Sequence, residues 1–396
     1  MTLLIASELG SGYGHATQVG VVAESLIEMG VQPIVIAKDV TTMRAVLGYD
    51  SVREVLQAPF RFKPLPRFAR VNSFADILIE AGFADADGLA ARIRSWINLF
   101  ERCGAELLIL DHAPTALFAA QAVGLRCAAI TSTFSIPPAT APFPQMLSQP
   151  VIPDALRLKR EQVLLEVLTS ALRRLGLQPP ESLQTPYRSL KTAFGTYAEL
   201  DHYGQREDAR YLGCGSHARG AEVIWPEGSG TRLFLYAPWH PAIDTSLKAL
   251  LAAGYQISAV IPDAPTNAVA DAPNLSLSRS LVNLDSALQS CELFVNHASL
   301  HSVTLSLMRE TPCVMIPLWQ EQGLFAERVA ALGAGRMARP ETVVATVQQM
   351  LGQREHYRAA ARAFSQRYAS FDHRAAHRDF LGELLAGAML ANPAAH

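Results

Sequence analysis

The chain opens on a run that is apolar throughout rather than alternating, "TLLIASE", the pattern of a strand buried on both faces. "TQVGVVAESLIEMG" follows with helical spacing and a closing glycine, and "QPIVIAK" is apolar again, so the opening is a βαβ unit. The pattern returns as "AELLILD", "PTALFAAQAVG" and "RCAAITS", which predict a strand ending in a charged residue, a helix ending in glycine and another strand. Such alternation predicts an α/β protein whose parallel sheet is covered by helices on both faces. Between about residues 135 and 190 the pattern weakens. The proline-rich "SIPPATAPFPQMLSQPVIP" predicts an irregular surface loop, and "DALRLKREQVLLEVLTSALRRLG" a helix that Asp154 would cap.

The alternation restarts after the polar, glycine-containing "SHARGAEVIWPEGSG", which predicts a connection between domains. "TRLFLYAP", "YQISAVIP", "NLSLSRSL", "ELFVNH" and "PCVMIPL" predict strands. "IDTSLKALLAAG", "VNLDSALQSC", "LHSVTLSLMRE" and "LFAERVAALGAG" predict the helices between them. The domains are expected at 1–215 and 231–365, with a linker at 216–230 and a helical tail at 366–396 that returns to the first domain. Two doubly wound domains in tandem would bind ligands at the C-terminal edges of their sheets.

Composition narrows the class. The 396 residues are too many for one ordinary core, and 49% hydrophobic with 18% charged residues fits buried sheets. A formal net charge of -2 gives no footprint for nucleic acid or an anionic membrane. The five cysteines are scattered, odd in number and without a CxxC pair, as expected of reduced thiols. No uninterrupted apolar stretch reaches the roughly 18 to 20 residues of a membrane span. The N-terminus lacks the features of a secretory signal, so a cytoplasmic protein is expected.

The candidate chemistry starts at "GSGYGHATQ", residues 10 to 18, where three glycines and His15 occupy a strand-to-helix turn. Such a turn usually cradles phosphate, but a titratable side chain just before the helix, expected to begin at Ala16, points to proton transfer. Residues 281 to 335 carry a histidine after a strand, a helix, "TP", an apolar strand ending in Pro317, an acid-glutamine pair and a final G-x-G. This stretch resembles the donor-binding signature of nucleotide-sugar glycosyltransferases of the GT-B fold, the UDP-glycosyltransferase superfamily. "GYGHATQ" and "LLILDHAP" resemble that family's glycine-histidine loop and its strand with a terminal aspartate, and "TYAELDHYGQREDARYLG" its run into the linker.

The resemblance implies two Rossmann-like domains facing each other across a cleft. It implies inverting, metal-independent transfer of a hexosyl unit from a UDP- or dTDP-linked sugar to a hydroxyl or similar nucleophile. His15 matches the base and Asp111 the aspartate that orients it, a role suited to an imidazole with an ordinary pKa near about 6.5. From the residues alone, His15 is equally read as a helix cap and Asp111 as the N-cap of "PTALFAAQAVG". The adjacent His112 is expected to point elsewhere.

On the donor side, His297 and Ser302 match diphosphate contacts, and Glu321 with Gln322 the pair that holds sugar hydroxyls. Ser299, Val282, Trp239, His240 and His301 complete the expected donor site. The family's glycines are replaced by Ala298, Ser299 and His301, its ribose-binding acid falls at Leu305, and Ala237, Pro238 and Trp239 follow the first strand of the second domain. Loss of the glycines narrows or reshapes the phosphate cradle, Leu305 cannot accept a hydrogen bond from the ribose, and Pro238 has no N–H to give. His297 and His301 are spaced like zinc ligands, yet no further ligand set accompanies them and no metal is expected.

Acceptor contacts are expected from Gly14, Phe74, Phe134 and Phe143, with Phe60, Phe62 and Met146 in the same regions, 60–90 and 135–160. They suggest a small-molecule or lipophilic acceptor. No cofactor beyond the nucleotide sugar, no nucleic acid and a monomer or homodimer complete the expectation. The competing reading is a non-catalytic GT-B binding or accessory protein that has lost normal donor binding.

Overall fold

The computed structural model describes residues 1–10, 12–61, 71–146, 150–214, 220–265 and 272–391. Phe62 and part of the expected linker lie outside them. Contacts divide the chain into two units. One comprises Met1–Ala198, Tyr203–Gly215 and Asp372–His396, the other Glu199–His202 and Ser216–Phe371.

The first unit is built on seven parallel strands: β1 Leu3–Ser7, β2 Ile34–Ala37, β3 Glu54–Gln57, β4 Leu107–Asp111, β5 Cys127–Thr131, β6 Lys191–Phe194 and β7 Arg210–Tyr211. Their spatial order is β3-β2-β1-β4-β5-β6-β7, so the direction of winding reverses between β1 and β4. All five residues of β1 and of β4 are buried, as their unbroken apolar runs demand. Leu3, Ile5, Val35, Ile109 and Ile130 pack against Val19, Val22 and Leu26 of the helix Tyr13–Glu28. The final helix, His373–Ala391, closes the same core with Phe380, Leu381 and Leu384.

The second unit repeats the plan with β8 Arg232–Tyr236, β9 Gln256–Val260, β10 Leu275–Ser278, β11 Leu293–Asn296, β12 Cys313–Met315 and β13 Gly335–Met337. The order is β10-β9-β8-β11-β12-β13, again all parallel, with the reversal between β8 and β11. Glu199 joins this unit through Arg367 and Tyr368, and the His202 carbonyl accepts a hydrogen bond from Arg328 at 3.1 Å.

Several boundaries differ from the sequence reading. The first helix begins at Tyr13, so His15 lies inside its first turn rather than ahead of it. Asp154 is the first residue of the helix Asp154–Arg174, makes no cap and pairs with Arg157 instead. Residues 74–83, in the region expected to supply acceptor contacts, form a short helix that passes into a π-helical turn, and Ala86–Cys103 forms a long amphipathic helix. No helix among the described residues is long and apolar enough to cross a membrane.

Candidate active site

The reversal between β1 and β4 is where a doubly wound sheet opens a crevice beyond its strand ends. Ser7 and Asp111 face each other in the β1–β4 register, which puts their side chains together. Ser7 Oγ donates to Asp111 Oδ2 at 2.9 Å, and Thr131 Oγ1, from the end of β5, donates to Oδ1 at 2.8 Å. His15 Nδ1 lies 2.9 Å from Oδ2. The carboxylate is 2% exposed while the imidazole keeps 19% of its side chain open. Burial works to raise the Asp111 pKa. The facing His15 and the hydrogen bonds from His15, Thr131 and Ser7 outweigh it and hold the group below its ordinary value. Asp111 is therefore held as an anion against the His15 ring, and Nδ1 is the nitrogen that donates to it.

The glycines of the turn have separate duties. A Cβ on Gly10 would lie 2.5 Å from His15 Cγ and 2.8 Å from both Nδ1 and Ser7 Oγ, so the ring packs directly over a position that must be bare. Gly12 has φ 78, which a side chain would strain. A Cβ on Gly14 would meet nothing within 4 Å. One glycine makes room for the ring, one turns the chain, and the third is exposed on the helix.

Asp111 does not cap the following helix, Pro114–Ala122, whose N-cap is Ala113. Glu8 does, from the end of β1: its Oε2 accepts from Thr115 N at 2.8 Å and Ala116 N at 3.2 Å. Burial raises the Glu8 carboxyl to about 7 against those hydrogen bonds and the charge of Arg92. His112 also departs from expectation. It takes φ 45, and its ring stacks on His15 with centroids 5.8 Å apart and planes 26° apart.

Two of the expected acceptor contacts are core residues. Phe74 and Phe143 are 0% exposed and pack edge to face on each other and on Tyr187. Fully buried rings present no surface to a ligand, so they shape the unit from behind. Phe134 is buried edge-on to His112. Phe60 is exposed, Met146 buried and Gly14 open on the first helical turn.

In the second unit the equivalent reversal gathers Trp239 and His240 beyond β8 and His297 beyond β11. His297 Nδ1 donates to the Tyr236 carbonyl at 3.3 Å, and desolvation pushes its pKa down to about 4, so the ring is neutral. Ala298 sits at φ 62 with its N–H on Asn296 Oδ1 at 2.7 Å, so the chain makes a glycine-type turn without glycine. Ser299 stands at the N-cap position of the helix Leu300–Met308 without a capping bond, its Oγ 2.6 Å from Ser302 Oγ, with His301 in the same first turn. His240 Nδ1 caps the helix Pro241–Ala252 by accepting from Ala242 N at 3.2 Å, and its ring stands edge-on to Trp319. Trp239 N donates to Asp263 at 2.6 Å. Val282 bridges Ala221 at the start of the helix Leu284–Gln289.

Gln322 spends its carbonyl on the N–H groups of Leu318 and Trp319, at 2.8 and 3.3 Å. Its NH2 makes no hydrogen bond among the described residues, and Glu321 stands beside it in the first turn of the helix Gln320–Ala331. Leu305, in place of a ribose-binding acid, offers no acceptor. Among the described residues no group of three or more His, Cys, Asp or Glu is placed to hold a metal.

No family model matches the chain, and no curated protein does by sequence. Solved structures do match in shape. The calicheamicin glycosyltransferase CalG4 gives a TM-score of 0.68 at 14% identity, covering 98% of each chain. The glycosyltransferase VinC, solved with dTDP, gives 0.67 at 16% identity over 98% of this chain and 99% of its own. The spinosyn rhamnosyltransferase SpnG, solved with thymidine diphosphate, gives 0.66 at 17% over 96% and 100%. The chain has the GT-B fold. Within a GT-B chain the two parallel sheets, of seven and six strands, supply two crevices of the same design, each with a histidine beyond the strand that borders the reversal.

Proposed function

We propose that the protein is an inverting glycosyltransferase that moves a hexosyl unit from a dTDP- or UDP-linked sugar to a hydroxyl of a small or lipophilic acceptor. The observation that carries the reading is Asp111, buried, held by three donors and turned onto His15. An anion kept ionised against a partly open imidazole is the arrangement that a general base requires. With Nδ1–H on Asp111, the neutral ring carries its lone pair on Nε2, which takes the acceptor's proton. The acceptor oxygen bonds to the anomeric carbon from the face opposite the diphosphate. The bond from that carbon to the diphosphate oxygen breaks, and the nucleoside diphosphate leaves with the electron pair.

Asp111 stabilises the resulting imidazolium and fixes its orientation. The helix start at Ser299 to Ser302, with His297 and His301, receives the diphosphate, where free N–H groups and the helix dipole favour an anion. Glu321 and the NH2 of Gln322 receive sugar hydroxyls. Trp239, His240 and Val282 flank the nucleotide. The donor is the co-substrate, and neither a metal nor a resident cofactor enters the reaction. The setting is the cytoplasm, and the active species a monomer or homodimer. The thymidine diphosphate on VinC and SpnG supports dTDP donors as the first to try.

The test is His15→Ala assayed with dTDP- and UDP-sugars. A loss of roughly 10²- to 10⁴-fold in kcat is expected for a missing general base. Undiminished turnover would remove His15 from the reaction.

A further inference from the structure

His112 has no part in the mechanism above, yet the chain holds it in a conformation that side chains avoid. Its φ of 45 is one of three left-handed values at non-glycine positions among the described residues. The Leu9 N–H clamps its carbonyl at 3.0 Å, tying the turn to the end of β1. The twisted backbone lays the imidazole, 8% exposed, nearly parallel to His15 at 5.8 Å, with Phe134 edge-on behind it at 6.1 Å. Its Nε2 is buried without a hydrogen-bond partner.

A ring chosen for a hydrogen bond would make one; this ring presents a face. The sites where strain persists are those the surrounding structure over-determines, and this one adjoins the Asp111–His15 pair. We propose that His112 is a positioning residue for His15, a flat uncharged wall that fixes the plane of the His15 imidazole while Asp111 fixes its tautomer. Asp111 holds the ring by its Nδ1 edge, and His112 faces its plane. The charged groups that act on the His112 ring are His15, Asp111 at the end of β4 and Lys38 beyond β2, while the Thr133–Ser135 turn contributes Phe134 and no charge. Burial first, then the charges of His15 and Lys38, push the His112 pKa down to about 3 despite Asp111, so the wall stays neutral while His15 cycles.

The inference rests on the reading of His15 as the base, and its test has an arm that does not. His112→Asn keeps the tolerance for left-handed backbone and removes the ring. His112→Phe keeps a flat apolar ring and removes the nitrogens. In the full chain, His112→Asn is expected to lose about tenfold in kcat with KM changed less than twofold, and His112→Phe to recover to within about threefold of the parent. The NMR titration of His15 is expected to move upward in His112→Asn, because water replaces the wall beside its cation, and to stay near the parent value in His112→Phe.

A His112→Asn protein with parental kcat and an unmoved His15 titration overturns the proposal. So does a loss of kcat that His112→Phe repeats in full. Parent and variants inactive on every donor, with the titration shift still present, would retire the glycosyltransferase reading and leave the positioning role standing.

Discussion

The sharpest use of the structure is Gly10. Ordinary contact of a Cβ with a neighbouring atom is 3.4–4 Å, but on Gly10 it would lie 2.5 Å from His15 Cγ. Alanine there must push the ring away by about 1 Å, and Ser7 Oγ, 2.8 Å from the same point, blocks retreat towards β1. A displacement of that size breaks the 2.9 Å bond between Nδ1 and Asp111. Misplacing a catalytic group by about 1 Å costs on the order of 10²-fold. Gly10→Ala is therefore expected to lower kcat about 100-fold while far-ultraviolet circular dichroism stays parental. Gly14→Ala is the matched control for the ring: its Cβ enters open space on a helix, so the bond between Nδ1 and Asp111 is kept and stability rises by about 0.5–1 kcal/mol. Initial rates with a dTDP- or UDP-sugar, and urea melts of both variants, decide it. A Gly10→Ala enzyme within threefold of the parent would refute the argument, because it would mean that the ring's packed position is irrelevant to turnover.

Two further outcomes follow from buried groups. Glu8 is raised from an ordinary 4.5 to about 7, so its contribution to stability is complete below pH 4.5 and is lost as pH climbs through 7, a change of about 3 kcal/mol. Glu8→Gln should flatten that fall; equal pH slopes for parent and variant in urea melts at pH 5 and 8 would contradict it. Ala298→Gly releases about 1–2 kcal/mol of left-handed strain. It loses about 0.8 kcal/mol of methyl burial and about 0.4–1 kcal/mol to a more flexible unfolded chain. Stability should therefore stay within about 1 kcal/mol of the parent while calorimetry shows tighter binding of dTDP or UDP. Weaker binding would mean that the methyl is part of the cradle.

The strands were legible in the sequence because they rest on local pattern, whereas the pairing of His15 with Asp111 was expected only from the resemblance. An unbroken apolar run needs no distant partner to be recognised as a buried strand. What escaped depends on residues far apart in the chain. Glu8 looks like a solvated strand end until Thr115, over a hundred positions on, arrives with an unpaired N–H. Phe74 and Phe143 are loop aromatics by their neighbours, and become core only when the Tyr187 ring closes over both. The role of Gly10 rather than Gly14 is a matter of one ring's direction, which helical periodicity carries only once the helix start at Tyr13 is known. His112 was invisible because φ is not written in residue type, although histidine tolerates the left-handed region better than most.

The last helix carries a consequence for synthesis. Phe380, Leu381 and Leu384 fill the core of the first sheet, against Val19 and Leu26, which leave the ribosome more than 350 residues earlier. The second unit's sheet is complete once β13 has emerged, whereas the first lacks part of its apolar cover until the helix His373–Ala391 follows. The unit begun first is closed after the second, and through that interval its uncovered apolar seam is the part of the chain most open to aggregation.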